Sequence, residues 1–188
     1  MANTDGEAAN HITYGQMNLI NTLRELWMEL PMWRRAYLVS FNANLEDLSV
    51  INDRLYKAPT NIGDVLEPFF GRTIGRTIED FIRQEIIIWI EILRAEKAGD
   101  TEVINENTQR MYQNADQMAA YLAQVNPYWD EETWKRLFYE YYETTLLEMV
   151  DVLSGRNERA ITLYESMQNQ ALNIADYMAR GLIAYFTD

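Results

Sequence analysis

Few residues of this chain could carry chemistry, because the sequence contains no cysteine and a single histidine, His11. The absence of cysteine excludes disulfides, thiol nucleophiles and cysteine-based zinc sites. One imidazole in a polar N-terminal segment cannot supply the paired histidines of a zinc hydrolase or a Ser-His-Asp relay. Any chemistry must therefore come from carboxylates, arginines, tyrosines and amides, above all from those that share a helix face with hydrophobic residues.

Glu85 lies on a strongly hydrophobic helix face. At 100° per residue, with Ile74 at zero, Ile92 falls at about 0°, Ile78 at about 40° and Glu85 at about 20°. An ionised carboxylate in a core costs several kcal/mol unless it is paired, protonated or bound to a cation. The sequence therefore predicts that Glu85 has a specific partner inside the protein.

Other polar residues fall on or beside the hydrophobic faces of the remaining helices. Arg34 shares a stripe with Trp27 and Leu30, and Glu148 lies beside Tyr141 at the edge of its face. Gln168 falls inside the hydrophobic arc of the last helix and needs a hydrogen-bonding partner there. Together these positions predict one buried polar cluster of Arg34, Glu85, Tyr141, Glu148 and Gln168.

Three interpretations of this cluster are open. In the structural one, Arg34 forms an ion pair with Glu85 or Glu148, and Tyr141 and Gln168 satisfy the remaining groups. In the second, Glu85 and Glu148 are metal ligands, and oxygen ligands without imidazoles suit hard cations such as Mg, Mn or Ca, with Fe as a further candidate. In the third, the cluster orients a small polar ligand against tryptophan and tyrosine walls. No cofactor is certain from the sequence.

The elements that must position these residues are all helices, since hydrophobic residues recur every three or four positions and strand alternation is absent. We predict helices over residues 12–41 (with Pro31 inside), 45–57, 72–98, 101–125, 130–154 and 157–186, and a short helix ending near Leu66 after a stop at residues 58–61. This pattern predicts an all-α, up-and-down bundle of the four-helix, ferritin-like type with an extra long helix and a short helical crossover. Residues 12–188 form one domain, and residues 1–11 are expected to be a disordered tail.

The net charge of −13 argues against nucleic acid and anionic membranes as partners. The most hydrophobic run, residues 86–90, is far shorter than the roughly 20 residues of a membrane span, and the polar N-terminus does not resemble a signal peptide. We therefore expect a cytoplasmic protein. The partners left open are a small-molecule ligand and a second copy of the chain, the latter through Tyr128 and Trp129, which are expected to be exposed.

Several segments resemble a family of small bacterial helical proteins of unknown function, whose members genomes often label acetylglutamate kinase. The segments are residues 20–27 (INTLRELW), 95–100 (AEKAGD), 114–116 (NAD), 126–129 (NPYW), 170–172 (QAL) and 175–176 (AD). The kinase label does not suit this chain, because acetylglutamate kinases are larger α/β proteins with glycine-rich nucleotide loops. The resemblance implies a ferritin-like metal centre, since relatives tend to carry histidine where this chain has Leu30, Glu85 and Tyr141.

The sequence thus supports two expectations about function. The first is a non-catalytic binding or assembly protein with a buried polar cluster. The alternative is a ferritin-like, carboxylate-rich metalloprotein with redox or hydrolytic activity. The exchange of histidine for Leu30, Glu85 and Tyr141 removes nitrogen ligands and counts against the alternative.

Overall fold

The structure is a computed structural model that describes residues 12–187, and the predicted disordered tail over residues 1–11 lies outside the described residues. Every regular element between residues 12 and 187 is a helix, as predicted. The seven helices are α1 (Tyr14–Ala43), α2 (Leu48–Leu55), α3 (Lys57–Phe70), α4 (Arg72–Ala98), α5 (Thr101–Val125), α6 (Glu131–Leu153) and α7 (Asn157–Thr187).

The helix ends follow from local capping. Thr13 and Gln16 form a capping box at the start of α1, and the side chains of Asp100 and Asp130 accept hydrogen bonds from the first turns of α5 and α6. Gly99 ends α4 in the left-handed conformation, with φ of 72°. The bounds predicted for α4 to α7 are therefore confirmed to within a residue or two.

The crossover between α1 and α4 differs from its prediction. Residues 58–61 do not stop a helix; they lie in the first turns of α3, and α2 ends earlier than predicted, at Leu55. Pro59 is the third residue of α3, where a backbone N–H has no partner within the helix, so proline is tolerated there. The crossover consists of two helices, as predicted, but the second begins earlier, continues to Phe70 and is 14 residues long.

The five long helices pack in a sequence of neighbours around one hydrophobic core. α1 packs against α7, α7 against α6, α6 against α5 and α5 against α4, while α3 lies along α4. No described helix is long and apolar enough to cross a membrane. This arrangement brings the inner faces of α1, α4 and α6 together, as the contacts between their side chains show below.

The contact between α3 and α4 is unusually close at two glycines. A Cβ atom on Gly75 would lie 2.6 Å from the carbonyl oxygen of Gly63, and one on Gly63 would lie 2.8 Å from that of Gly75. Beside them, Glu79 accepts hydrogen bonds from Thr60, Arg76 and Arg83. Burial opposes ionisation of Glu79, but these hydrogen bonds outweigh it and lower the pKa of Glu79 to about 2.

The prediction that Tyr128 and Trp129 are both exposed at a dimer surface is wrong for Trp129. Trp129 is buried, and its indole fills the space above Gly181, where a Cβ atom would lie 1.9 Å from Nε1. Its ring also packs against Phe70 and Trp134. Tyr128 remains exposed, so the corner at residues 126–129 does not present the paired aromatic surface that the sequence suggested.

Candidate binding site

The structure brings four of the five predicted cluster residues together. Arg34 comes from α1, Glu85 from α4, and Tyr141 and Glu148 from α6, and each is at most 2% exposed. We call these four residues the polar centre. Their burial follows from the helical phase of each segment, which places all four on faces otherwise made of leucine, isoleucine and aromatic residues.

Arg34 is the cation of the polar centre. Its Nη2 donates a hydrogen bond to Oε2 of Glu85 at 2.5 Å. The Cζ atom of its guanidinium lies 5.3 Å from the centroid of the Trp89 ring and 5.5 Å from that of Tyr141. A buried charge is tolerated only with such compensation, so the ion pair and the aromatic rings together hold Arg34 in place.

Glu148 is paired with Arg35, a residue that sequence reasoning missed. Nη1 of Arg35 donates a hydrogen bond to Oε1 of Glu148, and the Arg35 guanidinium lies 5.0 Å from the centre of the Tyr164 ring. Glu148 is fully buried, whereas the Arg35 side chain is 21% exposed. Charge balance in the sequence could have indicated this pair. Two buried glutamates need two cations as partners, and α1 carries two consecutive arginines.

Burial and pairing act in opposite directions on the ionisable groups. Burial raises the pKa of Glu85, and Arg34 opposes the rise without cancelling it. Burial likewise raises the pKa of Glu148 against the effect of Arg35, and raises that of Tyr141. Burial disfavours the charged form of Arg34, yet Glu85 keeps its pKa above the ordinary value. Arg34 is therefore a permanent cation, while the glutamates take up protons more readily than exposed ones.

Much of the hydrogen-bonding capacity of the polar centre has no protein partner. Five of the thirteen unpartnered buried side-chain atoms among the described residues belong to its four residues: Nε and Nη1 of Arg34, Oε1 of Glu85, the hydroxyl of Tyr141 and Oε2 of Glu148. Trp89, which packs against Arg34, has an unpartnered indole N–H as well. Donors and acceptors are thus both available at one place in the core.

Gln168 does not belong to the polar centre, so its predicted place in the core is wrong. It is half-buried on α7 and lines a surface groove with Met28, Met32 and Tyr164. Two residues later, Gln170 donates to the hydroxyl of Thr144. The hydrophobic arc of α7 is narrower than the sequence suggested, because α1 and α6 both pack against this helix and leave a groove at its edge.

The predicted metal ligands, Glu85 and Glu148, are each engaged by an arginine. Among residues 12–187 no three histidine, cysteine, aspartate or glutamate side chains form a group that could hold a metal ion. A cation between the two glutamates would also face the guanidinium of Arg34. The residues present therefore suit a network of ion pairs better than a carboxylate metal site.

Comparisons of the chain with protein-family models, curated proteins and solved structures found no match.

Proposed function

We propose that this is a non-catalytic binding protein whose polar centre holds a small polar molecule. The observation that carries the proposal is the group of five unpartnered polar atoms on Arg34, Glu85, Tyr141 and Glu148. Each buried polar atom without a hydrogen bond costs about 1–3 kcal/mol, and natural cores contain few of them. A ligand with several hydrogen-bonding groups would recover that free energy at one site.

The charges and atom types of the centre define the chemistry of the ligand. Two arginines, Arg34 and Arg35, balance two glutamates, Glu85 and Glu148, so a ligand without net charge leaves the balance undisturbed. The ligand must accept from Arg34, donate to the free carboxylate oxygens and contact the hydroxyl of Tyr141. Small amides, polyols and zwitterionic amino acids have this combination of groups.

The structural interpretation, in which the cluster only fixes how the helices pack, predicts a different result in the same experiment. We would unfold the purified protein, separate the released small molecules and measure them by mass spectrometry, in parallel with thermal unfolding in amides, polyols and amino acids. The proposal requires one polar molecule per chain, or a rise in melting temperature with one of these compounds. Release of nothing but solvent, with no compound shifting the melting temperature, would refute it.

Variants locate the bound molecule. Tyr141→Phe removes one hydroxyl of the centre and should weaken binding by about ten-fold, since a lost hydrogen bond to a buried partner costs on the order of 1.5 kcal/mol. Tyr139→Phe is the matched control, because Tyr139 lies on the same helix but faces outward and donates to Asp116. Equal binding by both variants would place the ligand elsewhere.

We further propose that the bundle is of the ferritin-like type and that the chain is related to the bacterial helical family it resembles. Five long helices around one core and the burial of Leu30, Glu85 and Tyr141 support this relationship. A cytoplasmic location is proposed on the absence of cysteine from the sequence. Fractionation of cells that express the protein tests the location.

A further inference from the structure

The outward face of α1 carries a stripe with the spacing of a helix-docking site. Glu25, Met28, Met32 and Val39 are separated by three, four and seven residues, and Arg35 and Ala36 lie between the last two. At 100° per residue these positions fall within an arc of about 100° on one side of the helix. Met32 and Val39 are 44% and 40% exposed, so the neighbouring helices leave much of these two side chains uncovered.

Neighbouring helices turn the stripe into a groove. Toward the start of α1, Tyr164 and Gln168 of α7 form one wall of a depression of about 270 Å³. Toward its end, Leu45 and Ile51 form one wall of a second depression of about 390 Å³. Met32 lines both, so the two depressions adjoin each other at its side chain. We call this surface the α1 groove.

The length of the α1 groove suits a helix better than a small molecule. From Met28 to Val39 is eleven residues, or about 17 Å of helix, which equals three turns of a partner helix. Its hydrophobic lining includes two methionines, a valine, a leucine and an isoleucine, and polar side chains lie between and beside them. Flexible methionines in such a groove adapt to the leucine-type side chains that a docking helix presents every three or four residues.

The charges that line the α1 groove favour a positively charged partner. Arg35 is neutralised by Glu148, and Glu29 by Arg54 at 2.7 Å. Glu25 and Asp47 line the groove without an ion-pair partner among residues 12–187, although Ser40 donates a hydrogen bond to Asp47 at 2.7 Å. The groove is therefore locally negative in a chain of net charge −13, which attracts a basic partner and repels a second copy of itself.

We infer that the α1 groove binds a basic amphipathic helix of another protein. The leucine-type face of that helix would lie on Met28, Met32 and Val39, and its lysines or arginines would lie near Glu25 and Asp47. This inference does not rest on the proposed function, although Arg35 lines the groove and also pairs with Glu148 of the polar centre.

A synthetic 14-residue peptide of leucine and lysine, with leucines spaced three and four apart, is the probe. Its binding to the full-length protein at physiological salt is measured by fluorescence anisotropy, and its helicity by circular dichroism. Two peptides serve as controls: a scrambled one of the same composition, and one with glutamate in place of lysine. The inference requires that the patterned basic peptide binds and becomes helical and that both controls bind at least about ten-fold more weakly.

Variants map the probe to the groove. Met32→Asp should weaken binding by at least about ten-fold, as for a central contact of an interface. The matched control is Leu147→Asp, since Leu147 is exposed to a similar degree on α6, away from the groove. Glu25→Gln should weaken binding up to about five-fold, whereas Glu106→Gln, the same change on the exposed surface of α5, should have no effect.

Each contrary result overturns the inference in a recognisable way. Equal binding of the scrambled peptide, or equal loss in Met32→Asp and Leu147→Asp, would mean nonspecific attraction to an acidic surface. A dimer in light scattering that Met32→Asp converts to a monomer would assign the groove to a second copy. Neither result depends on whether the polar centre holds a ligand, which the Tyr141→Phe variant reports separately.

Discussion

The buried pair of Arg34 and Glu85 makes a prediction whose size depends on pH. Arg34→Met leaves the Glu85 carboxylate in the core without its cation, and Glu85→Leu leaves the guanidinium without its anion. Both groups are almost completely buried, so water cannot replace the lost partner. The two variants nevertheless differ, because a stranded glutamate can take up a proton whereas a stranded arginine cannot lose one.

Proton uptake sets an upper limit on the cost of stranding Glu85. Protonating a glutamate of ordinary pKa 4.5 at about pH 7 costs about 3.4 kcal/mol, at 1.36 kcal/mol per pH unit. At about pH 5 the same limit is about 0.7 kcal/mol, so the electrostatic penalty in Arg34→Met should nearly disappear. Glu85→Leu should cost about 3–5 kcal/mol at both pH values, because no proton relieves it.

Urea unfolding followed by circular dichroism measures these differences at the two pH values. The double variant Arg34→Met with Glu85→Leu should lie within about 1 kcal/mol of the wild type, since no charge is left stranded. Arg24→Met is the control, because the Arg24 pair with Asp176 is solvent-exposed and should contribute no more than about 1 kcal/mol. Additive single effects, or a pH-independent loss in Arg34→Met, would refute the reasoning.

Three further predictions concern the packing and capping of the helices. The pKa of Glu79 is lowered from 4.5 to about 2, so its contribution to stability is present above pH 4.5 and is lost as the pH falls towards 2. In Glu79→Gln the urea midpoint should therefore depend less on pH between 4.5 and 2 than it does in the wild type. An equal dependence on pH in both proteins would contradict the pairing of Glu79 with its arginines. Gly75→Ala should cost about 1–3 kcal/mol because its Cβ meets the carbonyl of Gly63, while the control Gly15→Ala, whose nearest neighbour lies at 4.0 Å, should be neutral or stabilising; equal melting temperatures would show that α3 and α4 separate freely. Gly99→Ala should lower stability by about 1 kcal/mol in thermal unfolding because φ is 72°, and no loss would mean that α4 ends differently in solution.

Helical periodicity was sufficient to predict the all-helical architecture and the burial of most polar centre residues. The period of 3.6 residues leaves little freedom in the phase of a long helix, so Glu85, eleven residues from Ile74, had to share its face. The same reasoning extended to Tyr141 on α6, but it placed Glu148 at the edge of that face and half-buried, whereas Glu148 is fully buried. Arg34 followed too, because α1 remains one continuous helix through Pro31 and keeps its phase.

Periodicity could not predict what depends on the contacts between helices. It shows on which side of α1 Arg35 lies, but it does not show that Glu148 of α6 lies close enough to pair with Arg35, so that ion pair was missed. It places Gln168 on the hydrophobic face of α7 but does not show the surface groove at the edge of that helix. It also does not show that Gly181 leaves space for the indole of Trp129, which is why Trp129 is buried. Pro59 was misread because proline is compatible with a first turn and incompatible with the interior of a helix.

Two consecutive arginines give α1 a defined register against its neighbours. Arg34 and Arg35 point about 100° apart, and they pair with Glu85 on α4 and Glu148 on α6. Sliding α1 by one turn, about 5.4 Å, would break both pairs at once and strand four charges. The two pairs also fix the rotation of α1 about its axis, because Arg34 and Arg35 have partners on different helices, and this rotation decides which residues line the α1 groove. The buried ion pairs therefore determine which side chains α1 presents to a partner.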